Sequence, residues 1–242
     1  MPRRLFIGTA GWSIPRAFAA QCGGPGTHLE RYARVFPAAE INSSFYRSHA
    51  ATTYMKWASC TPPGFQFAVK VPRVITHDLA LRRARLPLEQ FLEESAALGE
   101  RRGPLLVQLP GSHVFDARVV GRFLELLRAR YDGGVVWEPR HASWVAPAAD
   151  ALLTRHHVAR VAADPARAPG LERPGGWPGC VYYRLHGSPR TYWSRYDRPC
   201  IDALAASLRS FPASTDAWCM FDNTASGAAI ENARELSVAA RL

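Results

Sequence analysis

Lysine is almost absent from this chain. Of its 30 basic residues 28 are arginine, leaving only Lys56 and Lys70, and against 20 acidic residues the formal charge is +10. A basic excess draws polyanions when it is clustered. Here the arginines are dispersed, with only short pairs such as Arg82-Arg83 and Arg101-Arg102, and the joint abundance of Arg and Ala is what a GC-rich coding sequence produces. Most of the charge therefore reads as solvated surface, and Lys70 stands out against it.

Long apolar runs are missing too. No stretch of about 18 hydrophobic residues occurs, which excludes a membrane-spanning helix. The opening MPRRLFIGTAGW reaches Gly8, Thr9 and Gly11 before a signal-length apolar segment forms, so it reads as the first strand of a cytoplasmic protein. The five cysteines, at 22, 60, 180, 200 and 219, contain no C-x-x-C spacing, and neither a disulfide frame nor a zinc site is expected. With no internal period and no linker, one domain is expected over 1–242.

What is present is ample core material, 48% hydrophobic with 21% charged, in short β-branched or aliphatic runs that alternate with helical periodicity. That is the pattern of βα units around a parallel sheet. Strands are expected at 5–8, 39–42, 65–70, 105–109, 135–138, 158–162, 181–186 and 218–222, and amphipathic helices near 28–35, 89–100, 117–130, 144–156 and 226–240. Thr27 with Glu30 forms a capping box, Asp116 and Ser143 suit N-caps, and Asp132-Gly133-Gly134 suits a stop before the fifth strand. Eight parallel strands in about 250 residues favour an α/β fold of TIM type, a (β/α)8 barrel, over an open doubly wound sheet. Residues 163–179, ADPARAPGLERPGGWPG, hold too much Pro and Gly for a helix, so a loop is expected in place of the helix after strand six.

Nearly every expected strand ends in polar residues. These are Glu40 and Asn42, Lys70, Gln108, then Glu138, Arg140 and His141, with Asp164 after the sixth strand, Arg184 and His186 on the seventh, and Asp222 and Asn223 on the eighth. In a barrel these C-terminal tips converge on one mouth, where enzymes of this architecture keep their sites. The blocks GTAGW (8–12), EINSSFYR (40–47), FAVKVP (67–72), LLVQLP (105–110), WEPRHASW (137–144), YYRLHG (182–187) and FDNTASGAAIENA (221–233) resemble, in order, those of the YecE-like family, domain of unknown function 72. The resemblance implies a TIM-type barrel with a polar pocket at the strand C-termini, and implies no activity. Where that family often has Ser, Phe and Asn, this chain has Ala10, Pro139 and Asp222, which bears on the pocket's hydrogen bonding and on the charge at the eighth strand.

Two classes of function fit these residues. In the first, an enzyme holds a small anionic substrate, such as a phosphorylated one, on Lys70, Arg140 and Arg184. Glu40 or Glu138 then serves as base and His186 as proton donor, for hydrolysis or isomerisation. Asn42, Gln108, His141, Asp222, Asn223 and Trp193 complete the binding set. In the second, a nucleic-acid-binding or nucleic-acid-processing protein uses the same mouth for a phosphate, and the loop GSPRTYWSRYDRP (187–199) for stacking. A sugar-cleaving enzyme is a weaker third, because Glu40 and Glu138 lie three strands apart. Each group also has an ordinary reading: Glu138 and Arg140, two apart on a strand, form an ion pair; Lys70 and Arg184 neutralise Glu40 and Glu138; His141 bonds a loop; and Asn223 or Ser226 caps the last helix. The mouth would be electropositive unless most of the acids lean into it. A divalent metal on Glu40, Glu138, Asp164 and His186 is conceivable, but no ligand spacing supports it. The sequence identifies no cofactor and no oligomeric state.

Overall fold

The computed structural model describes residues 4–240. Among them ten strands form one sheet: β1 Leu5–Ala10, β2 Ala38–Ile41, β3 Gln66–Lys70, β4 Arg102–Gln108, β5 Val135–Glu138, β6 Val158–Arg160, β7 Ala162–Asp164, β8 Gly175–Gly176, β9 Cys180–Leu185 and β10 Asp216–Phe221. Their order is β7-β9-β10-β1-β2-β3-β4-β5-β6-β8. All the pairings are parallel except that of the two-residue β8 with β6. β6 and β7 are separated by Val161 alone, and together they carry the strand expected at 158–162 two residues further, to Asp164. The first half pairs with β5 and the second with β9, so one segment joins the two ends of the series and the sheet curls into a nearly closed barrel of TIM type. Between β7 and β9 there is no helix, as the Pro and Gly content of 163–179 implies, although that loop supplies the unforeseen β8.

The helices are α1 His28–Ala33, α2 Ser43–Tyr46, α3 Ala51–Ser59, α4 Arg85–Ala96, α5 Ala117–Arg128, α6 Pro147–Arg155, α7 Arg198–Ser210 and α8 Ala228–Ala239. The capping box at Thr27 and Glu30 is formed. The Asp116 carboxylate accepts from the N–H groups of Arg118 (2.9 Å) and Val119 (3.1 Å), and α5 then buries Val119, Val120, Phe123, Leu124 and Leu127 as one stripe. Each such side chain contributes roughly 1.5–3 kcal/mol by leaving water.

Ser143 is a correction. The expected helix from 144 starts only at Pro147, because a residue before proline is disfavoured in the α region and Ala146 is extended. Ser143 lies in a separate short turn, Ala142–Val145, whose cap is His141, and its hydroxyl accepts from Phe115 N–H at 2.8 Å. The expected helices also omit α2, α3 and α7. The last had a legible pattern, with Ile201, Leu204, Ala205 and Leu208 at helical spacing and all buried.

Strand side chains alternate between two cores. Those pointing outward pack against the helices. Those pointing inward, including Ala38, Ala68, Leu106, Val136, Tyr182, Trp218 and Met220, fill the barrel. Because the period of a strand is two, the residue two places further on faces inward one layer higher. Those residues are Glu40, Lys70, Gln108, Glu138, Arg184 and Asp222, in register order Glu40 beside Ala68, Lys70 beside Leu106, Gln108 beside Glu138 and Arg184 beside Met220. The apolar plug of the barrel is thus roofed by one polar layer.

Candidate functional site

Arg184 is the centre of that layer. It is only 1% exposed, and its guanidinium reaches three carboxylates. Nη2 donates to Glu40 Oε1 at 2.6 Å and to Asp222 Oδ2 at 3.0 Å, Nη1 to Glu138 Oε2 at 3.0 Å, and Nε to Glu40 Oε2 at 3.0 Å. Gln108 Oε1 and Asn42 Oδ1 accept at 3.4 Å each. Such a charge survives burial because its donors are matched by charged acceptors. The acids therefore do lean in: three carboxylates face Lys70, Arg140 and Arg184, and the cup is balanced. Arg184 is fully occupied by protein and has no donor for a substrate.

Glu40 is likewise engaged on both oxygens. Oε2 accepts from the Tyr182 hydroxyl at 2.8 Å, and the residue is 0% exposed, so it sits beneath the hub as a support. Glu138 Oε1 accepts from Arg140 Nε (3.0 Å) and Nη2 (2.9 Å). Burial works against its charge, but Arg184 and Arg140 overcome that and hold its carboxyl well below the usual range. A carboxylate held so firmly ionised is a weak base. It serves better as an orienter of its neighbours.

His186 is bracketed by two acids. Nδ1 meets Asp222 Oδ2 at 3.0 Å, and Nε2 lies 3.5 Å from Glu138 Oε1. Burial and Arg184 oppose its protonation, yet the hydrogen bonds to Asp222 and Glu138 prevail and its pKa is raised above the ordinary 6.5. Asp222 moves the other way, lowered against burial by Arg184 and by its bond to His186. An imidazole with a raised pKa between two fixed carboxylates is a proton donor near neutrality.

Lys70 differs from all of these. It is 7% exposed, and its ammonium has no hydrogen bond or ion pair among the described residues. Nζ lies 4.2 Å from the centroid of the Phe45 ring instead. Desolvation, then the nearby Arg184, lower its pKa to about 8 against the pull of Glu40, Glu138 and Asp222. Arg140 also keeps capacity, since Nη1 has no acceptor among the described residues. Beside it a narrow cleft of about 10 Å³, room for one water, is lined by Glu138, Arg140, Arg167, His186, Thr191 and Tyr192.

The remaining expected site residues are not in the cup. His141 turns aside, its Nδ1 2.9 Å from Ser143 Oγ and accepting from Ser143 N–H. Asn223 is a loop staple: Nδ2 donates to Ser194 O (2.9 Å) and to Asn232 Oδ1 (3.0 Å), while Asn232 holds the backbone of Tyr196 on both its N–H and C=O. Trp193, 47% exposed, rides on that stapled loop under the Arg190 guanidinium, 4.6 Å from its ring centroid. Ser226 Oγ donates to Trp193 O and accepts from Ala228 N–H, closing the start of α8. Asp164 is taken by the Tyr196 hydroxyl at 2.6 Å.

Sequence reasoning missed Phe45, His77, Arg167 and Tyr182. Tyr182 was legible, being two residues before Arg184 on one strand face. His77 lies on a π-helical turn, Val74–Asp78, just after β3, a type of turn frequent at functional sites, and packs edge-on against Phe45. Nothing in the sequence pattern marks it.

Among the described residues no group of three or more His, Cys, Asp or Glu is placed to hold a metal ion. The guanidinium of Arg184 stands where a cation shared by Glu40, Glu138 and Asp222 would stand. Nor is any helix among them long and apolar enough to cross a membrane.

Three comparisons bear on this architecture. The model of the family described as "Protein of unknown function DUF72" matches residues 6–242. The UPF0759 protein YecE of Escherichia coli K12 is 31% identical over 145 residues, 59% of this chain and 50% of that protein, and YunF of Bacillus subtilis is 32% identical over 72 residues, 30% of this chain and 26% of that one. The match thus spans half or less of these curated relatives. Crystal structures of DUF72 family proteins superpose along almost the whole chain. One from Enterococcus faecalis has a TM-score of 0.82 at 20% identity, covering 98% of this chain and 96% of that one. One from Thermotoga maritima has 0.80 at 24% identity, covering 98% of each.

Proposed function

This chain belongs to the DUF72 family, and from that premise we propose that its barrel mouth is the active site of an enzyme acting on a small anionic substrate by proton transfer. The observation that carries the reading is Lys70, a buried ammonium whose neighbouring carboxylates are all held by Arg184. An unpaired buried charge is costly, and an anion arriving between Lys70 and the open side of Arg140 relieves that cost. Arg167 lines the water-sized cleft on the far side of Arg140 from Lys70 and is a third cation near Arg140. His186 supplies the proton, with Glu138 and Asp222 setting its charge, and hydrolysis or isomerisation suits a site with one donor and a held anion.

The nucleic-acid reading draws on one observation, the exposed Arg190 and Trp193 pair on the 187–199 loop. Against it, Arg195 is paired with Glu231 and Glu235, and Arg198 with Asp202. The test is thermal-shift and calorimetric titration of the purified protein with small carboxylates, phosphate esters and a single-stranded oligonucleotide, at low and high salt. The enzyme reading predicts a small anion whose binding is lost in Lys70→Ala and Arg140→Ala while both variants stay folded. Oligonucleotide binding that falls steeply with salt and survives Lys70→Ala would contradict it.

A further inference from the structure

The proposal above uses Lys70 as a charge, and a chain that supplies charge through arginine almost everywhere else has kept an amine at this one position in the mouth. Three features let Lys70 react as an amine as well as carry charge. First, among the described residues no carboxylate lies within ion-pair distance of it, because Glu40, Glu138 and Asp222 are all bound to Arg184. Second, one side of the ammonium is covered by the Phe45 ring. Third, the guanidinium of Arg184 shares its polar layer. Desolvation and a second cation are the two conditions that turn a lysine from a charge into a nucleophile. The same layer holds a proton donor, His186, fixed by Asp222 and Glu138.

From these contacts we infer that Lys70 is a nucleophile that forms an imine with the carbonyl carbon of a small anionic aldehyde or ketone, an oxo-acid or a phosphorylated carbonyl compound, whose anionic group is held by Arg140. This rests on the anion-binding reading and names its substrate class. The chemistry balances without an oxidant or a cofactor. The neutral Nζ attacks the carbonyl carbon, a C–N bond forms, and one nitrogen proton passes to the carbonyl oxygen to give a carbinolamine. The nitrogen lone pair then expels the hydroxyl, which takes a proton from the His186 imidazolium and leaves as water. A protonated imine and a neutral His186 remain. The lowered pKa of Lys70, about 8, leaves a usable fraction of free amine near neutrality.

The test is reductive trapping. The protein is incubated with glyoxylate, pyruvate or glyceraldehyde 3-phosphate and cyanoborohydride, and the adduct is mapped by peptide mass spectrometry, with exposed Lys56 as internal control. The expected result is a saturable adduct of one equivalent at Lys70, none at Lys56, and none at position 70 in Lys70→Arg, which still binds inorganic phosphate because the cation is kept. Loss of phosphate binding in Arg140→Ala with trapping retained at high carbonyl concentration also supports the assignment. If wild type and Lys70→Arg bind phosphate alike and none of the three carbonyl compounds labels Lys70 above Lys56, the imine is overturned and the anion site stands. If wild type neither binds phosphate nor is trapped, both readings fall.

Discussion

Replacing Arg184 by Met tests whether the polar layer is the paired, dry network described here. Methionine fills a similar length without charge, so the change isolates the guanidinium. The losses are unequal. Glu138 keeps Arg140 at 2.9 Å and Asp222 keeps His186 at 3.0 Å, whereas Glu40 loses the one cation bonded to it among the described residues and keeps, among them, the Tyr182 hydroxyl at 2.8 Å. Breaking a buried pair from one side costs about 3–5 kcal/mol, a large share of the roughly 5–15 kcal/mol that holds a domain folded. Urea denaturation followed by far-ultraviolet circular dichroism should therefore show Arg184→Met destabilised by at least about 3 kcal/mol. The paired variant Glu40→Gln, Arg184→Met removes the orphaned charge while keeping an acceptor for Tyr182, and should recover more than half of that loss. A single variant within about 1 kcal/mol of wild type, or a double variant no better than the single, would refute the hub.

Three further expectations follow from the same contacts. Lys70→Met removes a cation whose burial lowers its pKa from 10.5 to about 8, a penalty of about 3 kcal/mol at neutral pH, less about 0.5–1 kcal/mol for the lost contact with Phe45. The variant should be more stable in urea while failing to bind anions, and a clear destabilisation would make Lys70 a structural support. Asn232→Ala removes the bonds that hold Tyr196 and Asn223 and should cost about 1–3 kcal/mol, with limited proteolysis newly cutting within 187–197; an unchanged digest would sink the staple. The pH dependence has three parts. Glu138 and Asp222 have lowered pKa values, so their contribution is present above the ordinary carboxylate range and lost as pH falls through their folded values. His186 is raised, so its contribution is present below pH 6.5 and lost as pH rises through its folded value, a decline that His186→Gln should abolish. Lys70 is lowered, so stability regained between pH 8 and 10.5 should vanish in Lys70→Met.

The barrel was legible because its two periods are strong. Alternation along each strand, as in Val136 and Glu138 or Met220 and Asp222, states which residues face inward, and the topology does the rest. The polar layer was legible for the same reason, one residue per strand tip. What the sequence did not contain was the direction of each side chain at the mouth. Arg184 looks like a ligand-binding cation until three carboxylates are seen around it, and Glu40 looks like a base until both its oxygens are found engaged. His141 and Asn223 follow strands just as His186 and Asp222 do, yet chain reversal at the tip turns the first two toward turns and loop backbone. Arg167 lies in a loop without periodicity, and only the fold brings it to the cleft. The 187–199 loop reads as a stacking surface when its aromatics and arginines are counted without their partners, and Asn232, thirty-six residues beyond Tyr196, is a residue that fixes it.

Where an anion binds is the most direct measure of this site. A crystal structure of the protein grown with inorganic phosphate should show the anion within hydrogen-bond distance of Lys70 Nζ and of the guanidinium of Arg140, with Arg184 still enclosed by Glu40, Glu138 and Asp222. Phosphate bound only outside the mouth, with Lys70 paired to a carboxylate of the chain instead, would contradict it.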